Sequence, residues 1–183
     1  MQIVHPMSTS DEHRKHARHG YTIEVATISS SRYQKHGNAR YPEDTDDTSG
    51  AIIIDALQKG GHTVRYTLLP DDLDMIQHWF AKAMDSNADA IITTGGTGLT
   101  PGDVTIEAIR PLIGKEMPGF GEIFRTKSMD EIGYAAMLTR AIAGVVCGRA
   151  VFCMPGSSNA VKLGVEIIAS EIGHVIEHAS GRV

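Results

Sequence analysis

Apolar positions along this chain switch repeatedly between two periods, the two-residue repeat of strands and the 3.6-residue repeat of helices. Residues 21–29 (YTIEVATIS) are β-branched and nearly alternating, which predicts a strand. Residues 30–50 (SSRYQKHGNARYPEDTDDTSG) break the pattern and are polar and turn-rich, so a long loop is expected there. A helix is predicted from Thr48, with Thr48 or Ser49 as its cap, to the Gly60–Gly61 stop. A strand follows in TVRYTLLP and ends at Pro70. In DDLDMIQHWFAKAMDS, Leu73, Ile76, Phe80, Ala83 and Met84 fall on one helical face. One of Asp71 and Asp72 is expected to cap that helix.

ADAIITT is continuously apolar, the signature of a strand buried on both faces of a parallel sheet. DVTIEAIRPLI reads as a helix broken by Pro111, and residues 119–141 as short helices with turns. Two short strands are expected around Gly148. A long final helix carries its buried stripe on Val161, Val165, Ile168, Ile172 and Val175. Alternation of strand and helix predicts an α/β fold: a three-layer α/β/α sandwich around a mostly parallel sheet. In such sheets, ligands lie beyond the carboxyl ends of the strands. Four segments should converge there: TISSSR, LLPDD, TTGGTGLTPGD and FCMPGSSN.

The 183-residue length suits a single domain, taken here as residues 21–183, preceded by a polar, histidine-rich arm over residues 1–20. His13, His16 and His19 have i, i+3 spacing, but a solvated arm is the plainer reading. A net charge of −5 argues against bulk nucleic-acid binding, so any polyanion must be gripped by local geometry. No apolar run reaches the roughly 20 residues of a membrane span. Cys147 and Cys153 have neither metal nor disulfide spacing, which points to a reducing cytoplasm.

The glycine-rich joint TTGGTGLTPGD has two readings. It is a tight strand-to-helix turn, or it is a nest of N–H groups for a phosphate, with Thr94 and Thr97 adding hydroxyl donors. No Lys follows Gly98, so it is not a Walker loop. Asp103 likewise either caps the next helix or holds Mg²⁺ against a phosphate. Two acids beside such a nest suit phosphoryl or nucleotidyl transfer. Ser157 or Ser158 is expected to cap the last helix, and an anion at that helix start would also account for Gly156. His174 and His178 have metal-ligand spacing but no evident third ligand.

Together, DDTSG, TTGGTGLTPGD, MPGFGEIFR, EIGYAAMLTRAIAG and FCMPGSSNA resemble the MoaB/MogA family of molybdenum-cofactor biosynthesis, from about Tyr21 to the last helix. The resemblance implies a MogA-like fold, assembled as trimers or hexamers. It implies adenylyl transfer from Mg-ATP to the molybdopterin phosphate, with release of pyrophosphate and transient contact with a metal-insertion enzyme. A non-catalytic pterin carrier is the alternative. The family's two functional acids fall on Asp71 and Asp103, the expected catalytic and Mg²⁺-binding residues. Gly95, Gly96, Thr97 and Gly98 fall on the loop that binds phosphate or the pterin edge. Pro155, Gly156 and Ser157, with Asp47, Ser49 and Gly50, fall on the pterin side. Glu116, Gly119 and Gly121 fall on the nucleotide side. Many members carry Ser-Asp-Arg after the first strand. Here Ser31 is expected in place of that acid, which puts a ligand or metal role for this loop in question.

Overall fold

The computed structural model describes residues 20–182. The expected N-terminal arm, with His13, His16 and His19, lies outside the described residues. The described residues form one six-stranded sheet between two helical layers. Its strands are β1 (Thr22–Ile28), β2 (Thr63–Leu69), β3 (Ala90–Thr94), β4 (Lys115–Glu116), β5 (Ile142–Val146) and β6 (Arg149–Met154), in the order β2-β1-β3-β6-β5-β4. The run β2-β1-β3-β6 is parallel, while β5 and β4 add antiparallel at the far edge. The sheet is thus mostly parallel, as the sequence predicts.

Alternate strand residues feed opposite layers. Ile23, Val25, Ile92, Phe152 and Met154 pack on one face, under α2 (Thr48–Lys59), α5 (Pro118–Ile132) and α6 (Ser158–Ser180). Ala26, Ile28, Ile91, Val151 and Cys153 pack on the other, under α3 (Leu73–Asp85) and α4 (Thr105–Ile109). All five residues of β3 are buried. Its chain continues into α4 on one face, whereas its neighbours β1 and β6 lead to α2 and α6 on the other. The connections therefore part at the end of β3, the topological position beside which such sheets bind ligands.

Three differences from the sequence reading matter. The long loop expected over 30–50 contains a helix, α1 (Ser30–His36), and a 3₁₀ turn at Pro42–Thr45. Helix α1 buries no residue, so it leaves no apolar stripe to read. Residues 118–132 form one continuous helix rather than short pieces, because Gly119 and Gly121 fall in its first turns and the next break waits for Gly133. Neither Thr48 nor Ser49 caps α2: Asp47 holds that position, without a side-chain capping bond. Pro111 ends α4 in a 3₁₀ turn. On α3, Ile76, Phe80 and Ala83 of the expected stripe are buried and Trp79 joins them, whereas Leu73 is exposed at the helix start and Met84 is only partly buried. On α6 the stripe runs on through Ile176, with Val175 only partly buried.

Candidate active site

The chain leaves β3 through two consecutive residues at positive φ, Gly95 (92°) and Gly96 (60°). A side chain at Gly95 would run into the Ile28 carbonyl. One at Gly96 would meet the Thr105 hydroxyl and Asp71 Oδ1. Only glycine tolerates both the dihedral and the approach. The turn is pinned from below: Gly95 N–H donates to the Met154 carbonyl (3.1 Å), Thr105 N–H to Gly96 O (2.9 Å) and Thr105 Oγ1 to Gly95 O (2.9 Å). The N–H groups of Gly96 and Thr97 make no hydrogen bond among the described residues. Backbone of this shape with available N–H groups is an anion nest.

Both acids lie against this loop. At the end of β2, Asp72 Oδ1 accepts from Met75 N–H (2.8 Å) and caps α3. That releases Asp71 from capping, as the sequence left open. Asp71 Oδ2 instead accepts from Ser30 N–H (3.0 Å) and Ser30 Oγ (2.8 Å). Asp103 does not cap α4, whose N-cap position is Val104 with no side-chain bond. Its carboxylate folds back over its own loop and accepts from Thr100 N–H (3.0 Å) and Thr100 Oγ1. The Thr100 hydroxyl is the main reason its carboxyl titrates below the ordinary range, with Gly98 and Thr100 N–H groups and the Arg140 charge acting in the same direction.

An arginine that the sequence reading passed over braces the loop from outside. Arg140 Nε donates to Thr97 O (2.9 Å), and its two terminal nitrogens bind Glu107 at 2.6 and 3.2 Å. This fork holds Glu107 ionised below the usual carboxylate range. Nothing in the local pattern of LTRAIAG marks this arginine. Its partner lies 33 residues upstream and meets it only in the fold.

The opposite wall comes from β6 and α2. Gly156 packs directly against Gly95, where a Cβ would lie a tight 3.0 Å from the Gly95 Cα. Thr94 Oγ1 donates to Pro155 O (3.0 Å) and Ser49 Oγ to Gly156 O (2.9 Å). The Thr94 hydroxyl, expected as a ligand donor, here ties the two loops together. Ser157 caps α6 by accepting from Ala160 N–H (3.4 Å). Asp47 is only 2% exposed and accepts from the Tyr66 hydroxyl (2.7 Å). It supports the wall from beneath, against Gly50, and does not line it. Burial and the Asp47 charge push the Tyr66 hydroxyl far above its usual value.

Not every expected residue converges. Glu116 sits on β4, three strands from β3, or about 14 Å at the usual spacing. There it pairs with Arg110 (3.3 Å) on an exposed edge. Gly119 and Gly121 lie in the first turns of α5, Gly121 buried against the Ala141 carbonyl. Among the described residues no hydrogen bond or ion pair joins these three to the glycine loop. Among the described residues the Ser31 hydroxyl meets only that of Ser29 (3.4 Å), whereas its neighbour Ser30 reaches Asp71. The His174 and His178 rings stack edge-on at 4.6 Å, and no cluster of three or more metal-ligating side chains occurs among the described residues. Burial raises the Cys153 thiol to about 12, which removes it as a nucleophile.

A profile of the family described as "Probable molybdopterin binding domain" matches residues 24–174. A Pyrococcus furiosus protein named molybdopterin adenylyltransferase is 44% identical over 173 residues, 92% of this chain and 97% of that one. The molybdenum cofactor biosynthesis protein B of Halalkalibacterium halodurans is 46% identical over 170 residues, 91% of this chain and 94% of its own. Among solved structures, the tungsten cofactor synthesizing protein MoaB from Pyrococcus furiosus matches with a TM-score of 0.78 at 43% identity. That match covers 90% of this chain and 99% of the other.

Proposed function

The chain belongs to this molybdopterin-binding family of cofactor biosynthesis, the MoaB/MogA family, and from that premise we propose that it is a molybdopterin adenylyltransferase. In the reaction, an oxygen of the molybdopterin terminal phosphate attacks the α-phosphorus of ATP. The bond from the α-phosphorus to the α,β-bridging oxygen breaks, and pyrophosphate leaves with that oxygen. The observation that carries this reading is the seating of two carboxylates, Asp71 and Asp103, against a single glycine nest at the end of β3.

Two carboxylates are too few to cage a metal but suit Mg²⁺ held jointly with substrate phosphates and water. Asp71 Oδ1 makes no hydrogen bond among the described residues, and Asp103 is an ionised, half-exposed hard donor. Asp71 and Asp103 would hold the ion, which supplies neutralisation of charge on the transferring phosphoryl group. The chain's own part is positioning. Gly96 and Thr97 N–H groups bind phosphate oxygens, Gly98 leaves room for the acid, and Arg140 keeps the loop from shifting. Pro155, Gly156 and Ser157 form the pterin side, with Ser49, Asp47 and Gly50 behind them. Glu116, Gly119 and Gly121 serve the nucleotide side in the assembled protein.

Assembly is part of the proposal. Ile123, Met129, Ile132, Tyr134, Met137 and Leu138 are all about half exposed or more, with Tyr134 at 82% and Met137 at 79%. Large apolar side chains left exposed on α5 and the following turn suit a homotrimer or hexamer. No helix among the described residues is long and apolar enough to cross a membrane, and both cysteines are free, which fits a cytoplasmic enzyme. A metal-insertion enzyme that accepts the adenylylated pterin is the expected transient partner. Mass spectrometry of the pterin after incubation with Mg-ATP tests the reaction: adenylylated molybdopterin is expected, and unmodified pterin would refute it.

A further inference from the structure

Ser30 and Asp71 hold each other by three hydrogen bonds across 41 residues of chain. Ser30 N–H (3.0 Å) and Oγ (2.8 Å) donate to Asp71 Oδ2, and Asp71 N–H donates to Ser30 Oγ (2.9 Å). A hydroxyl has one proton to give. Because Ser30 Oγ accepts from the Asp71 backbone, that proton is directed at Oδ2. The carboxylate is thereby fixed with one oxygen doubly occupied. The other, Oδ1, makes no hydrogen bond among the described residues and lies 2.7 Å from the Cβ position that Gly96 lacks.

The element this clasp could brace is thinly packed, with only Tyr33 of α1 partly buried against the core. Ser30 opens α1, a helix with no buried residue, and is itself only half-buried. Its hydrogen bonds serve the orientation of Asp71. Resting on the adenylyl-transfer reading above, we infer that Ser30 is a positioning residue that presents Asp71 Oδ1 alone to the divalent cation of the nucleotide complex. Ser31, expected in place of an acid after the first strand, does not reach Asp71; its neighbour Ser30 does. The cation-binding charge stays on Asp71, and the first loop contributes its geometry.

Partners one step removed from a metal change metal affinity or activity by about 10–100-fold when removed. The test compares wild type, Ser30→Ala and Ser30→Thr, each also with Asp71→Asn. It reads the Mg²⁺ midpoint for pyrophosphate release, the affinity for ATP with and without Mg²⁺ by calorimetry, molybdopterin affinity by fluorescence, and Tm. Ser30→Ala is expected to raise the Mg²⁺ midpoint and weaken Mg-ATP binding by about 10-fold or more. Metal-free ATP and molybdopterin affinities should not move. Ser30→Thr keeps the hydroxyl and should restore most of the loss. With Asp71→Asn already present, Ser30→Ala should add nothing to the Mg-ATP deficit.

The inference is overturned if Ser30→Ala keeps the wild-type Mg²⁺ midpoint and Mg-ATP affinity, even with a lower Tm. It is equally overturned if threonine fails to rescue, or if the two substitutions add. Absence of pyrophosphate release by wild type would refute the adenylyl-transfer reading instead. The calorimetric comparison would then still decide whether Ser30 governs Mg-nucleotide binding.

Discussion

Asp71 Oδ1 occupies the space beside Gly96, 2.7 Å from where that residue's Cβ would be. Gly98 and Asp103 repeat the relationship, with Asp103 Oδ2 also at 2.7 Å. Two glycines of one turn thus make room for two acids from separate parts of the chain. This pairing explains why the loop needs glycines beyond its backbone dihedrals.

Neutralising either acid should stop turnover without unfolding the protein. Asp71→Asn and Asp103→Asn are each expected to lower the rate of pyrophosphate release by about 10²–10³-fold, the range for loss of one preorganised charge-stabilising group. Far-UV circular dichroism should match wild type. Asp72 is the internal control: Asp72→Ala removes only the α3 cap, costing about 1 kcal/mol in urea unfolding, with turnover retained.

A methyl group at Gly96 should damage stability and catalysis together. It would combine strain at positive φ, about 1–3 kcal/mol, with a collision against Asp71 and Thr105. At this chain length 1 kcal/mol is worth about 2–4 °C in Tm. Gly96→Ala is therefore expected to melt several degrees lower and to turn over far more slowly. Gly119→Ala, where a Cβ meets nothing, should leave Tm unchanged by calorimetry.

The acid limb of the pH–rate profile should report Asp103. Its folded-state carboxyl titrates below the ordinary 3.8, chiefly because the Thr100 hydroxyl donates to the ionised form. Stability from that interaction is present above the unfolded pKa and is lost as pH falls through the lower folded value. Thr100→Ala removes the hydroxyl donor and leaves the backbone donors. The acid limb is then expected to move to higher pH, with the neutral plateau in place.

Sheet, core and site differed in how much of them the sequence carried. The buried strand at ADAIITT, the α3 and α6 stripes and the convergence of four strand ends follow from periodicity, because burial on a sheet imposes it. Asp72 as cap was legible as a choice between two residues; only the fold decides which carboxylate turns back. Helix α1 escaped because it buries nothing. Arg140, Thr100 and Ser30 escaped for another reason: each acts on a partner through a turn or across the fold, and side-chain direction is not written in spacing. Ser31 was expected in the place of a missing acid, while the contact with Asp71 belongs to Ser30.

The exposed apolar side chains of α5 and the following turn should govern assembly. Met137→Glu with Tyr134→Glu puts two charges into a surface that is expected to be buried between copies. Light scattering after gel filtration should give a trimer or hexamer for wild type and a smaller species for the double variant. A wild-type monomer would remove the assembly from the proposal.

The most direct measurement is pyrophosphate release by the purified protein from ATP and Mg²⁺, with and without molybdopterin. The account predicts release that requires molybdopterin, is matched by formation of adenylylated pterin, and disappears in Asp71→Asn and Asp103→Asn. Tight molybdopterin binding without pyrophosphate release, or release unaffected by either substitution, would contradict it.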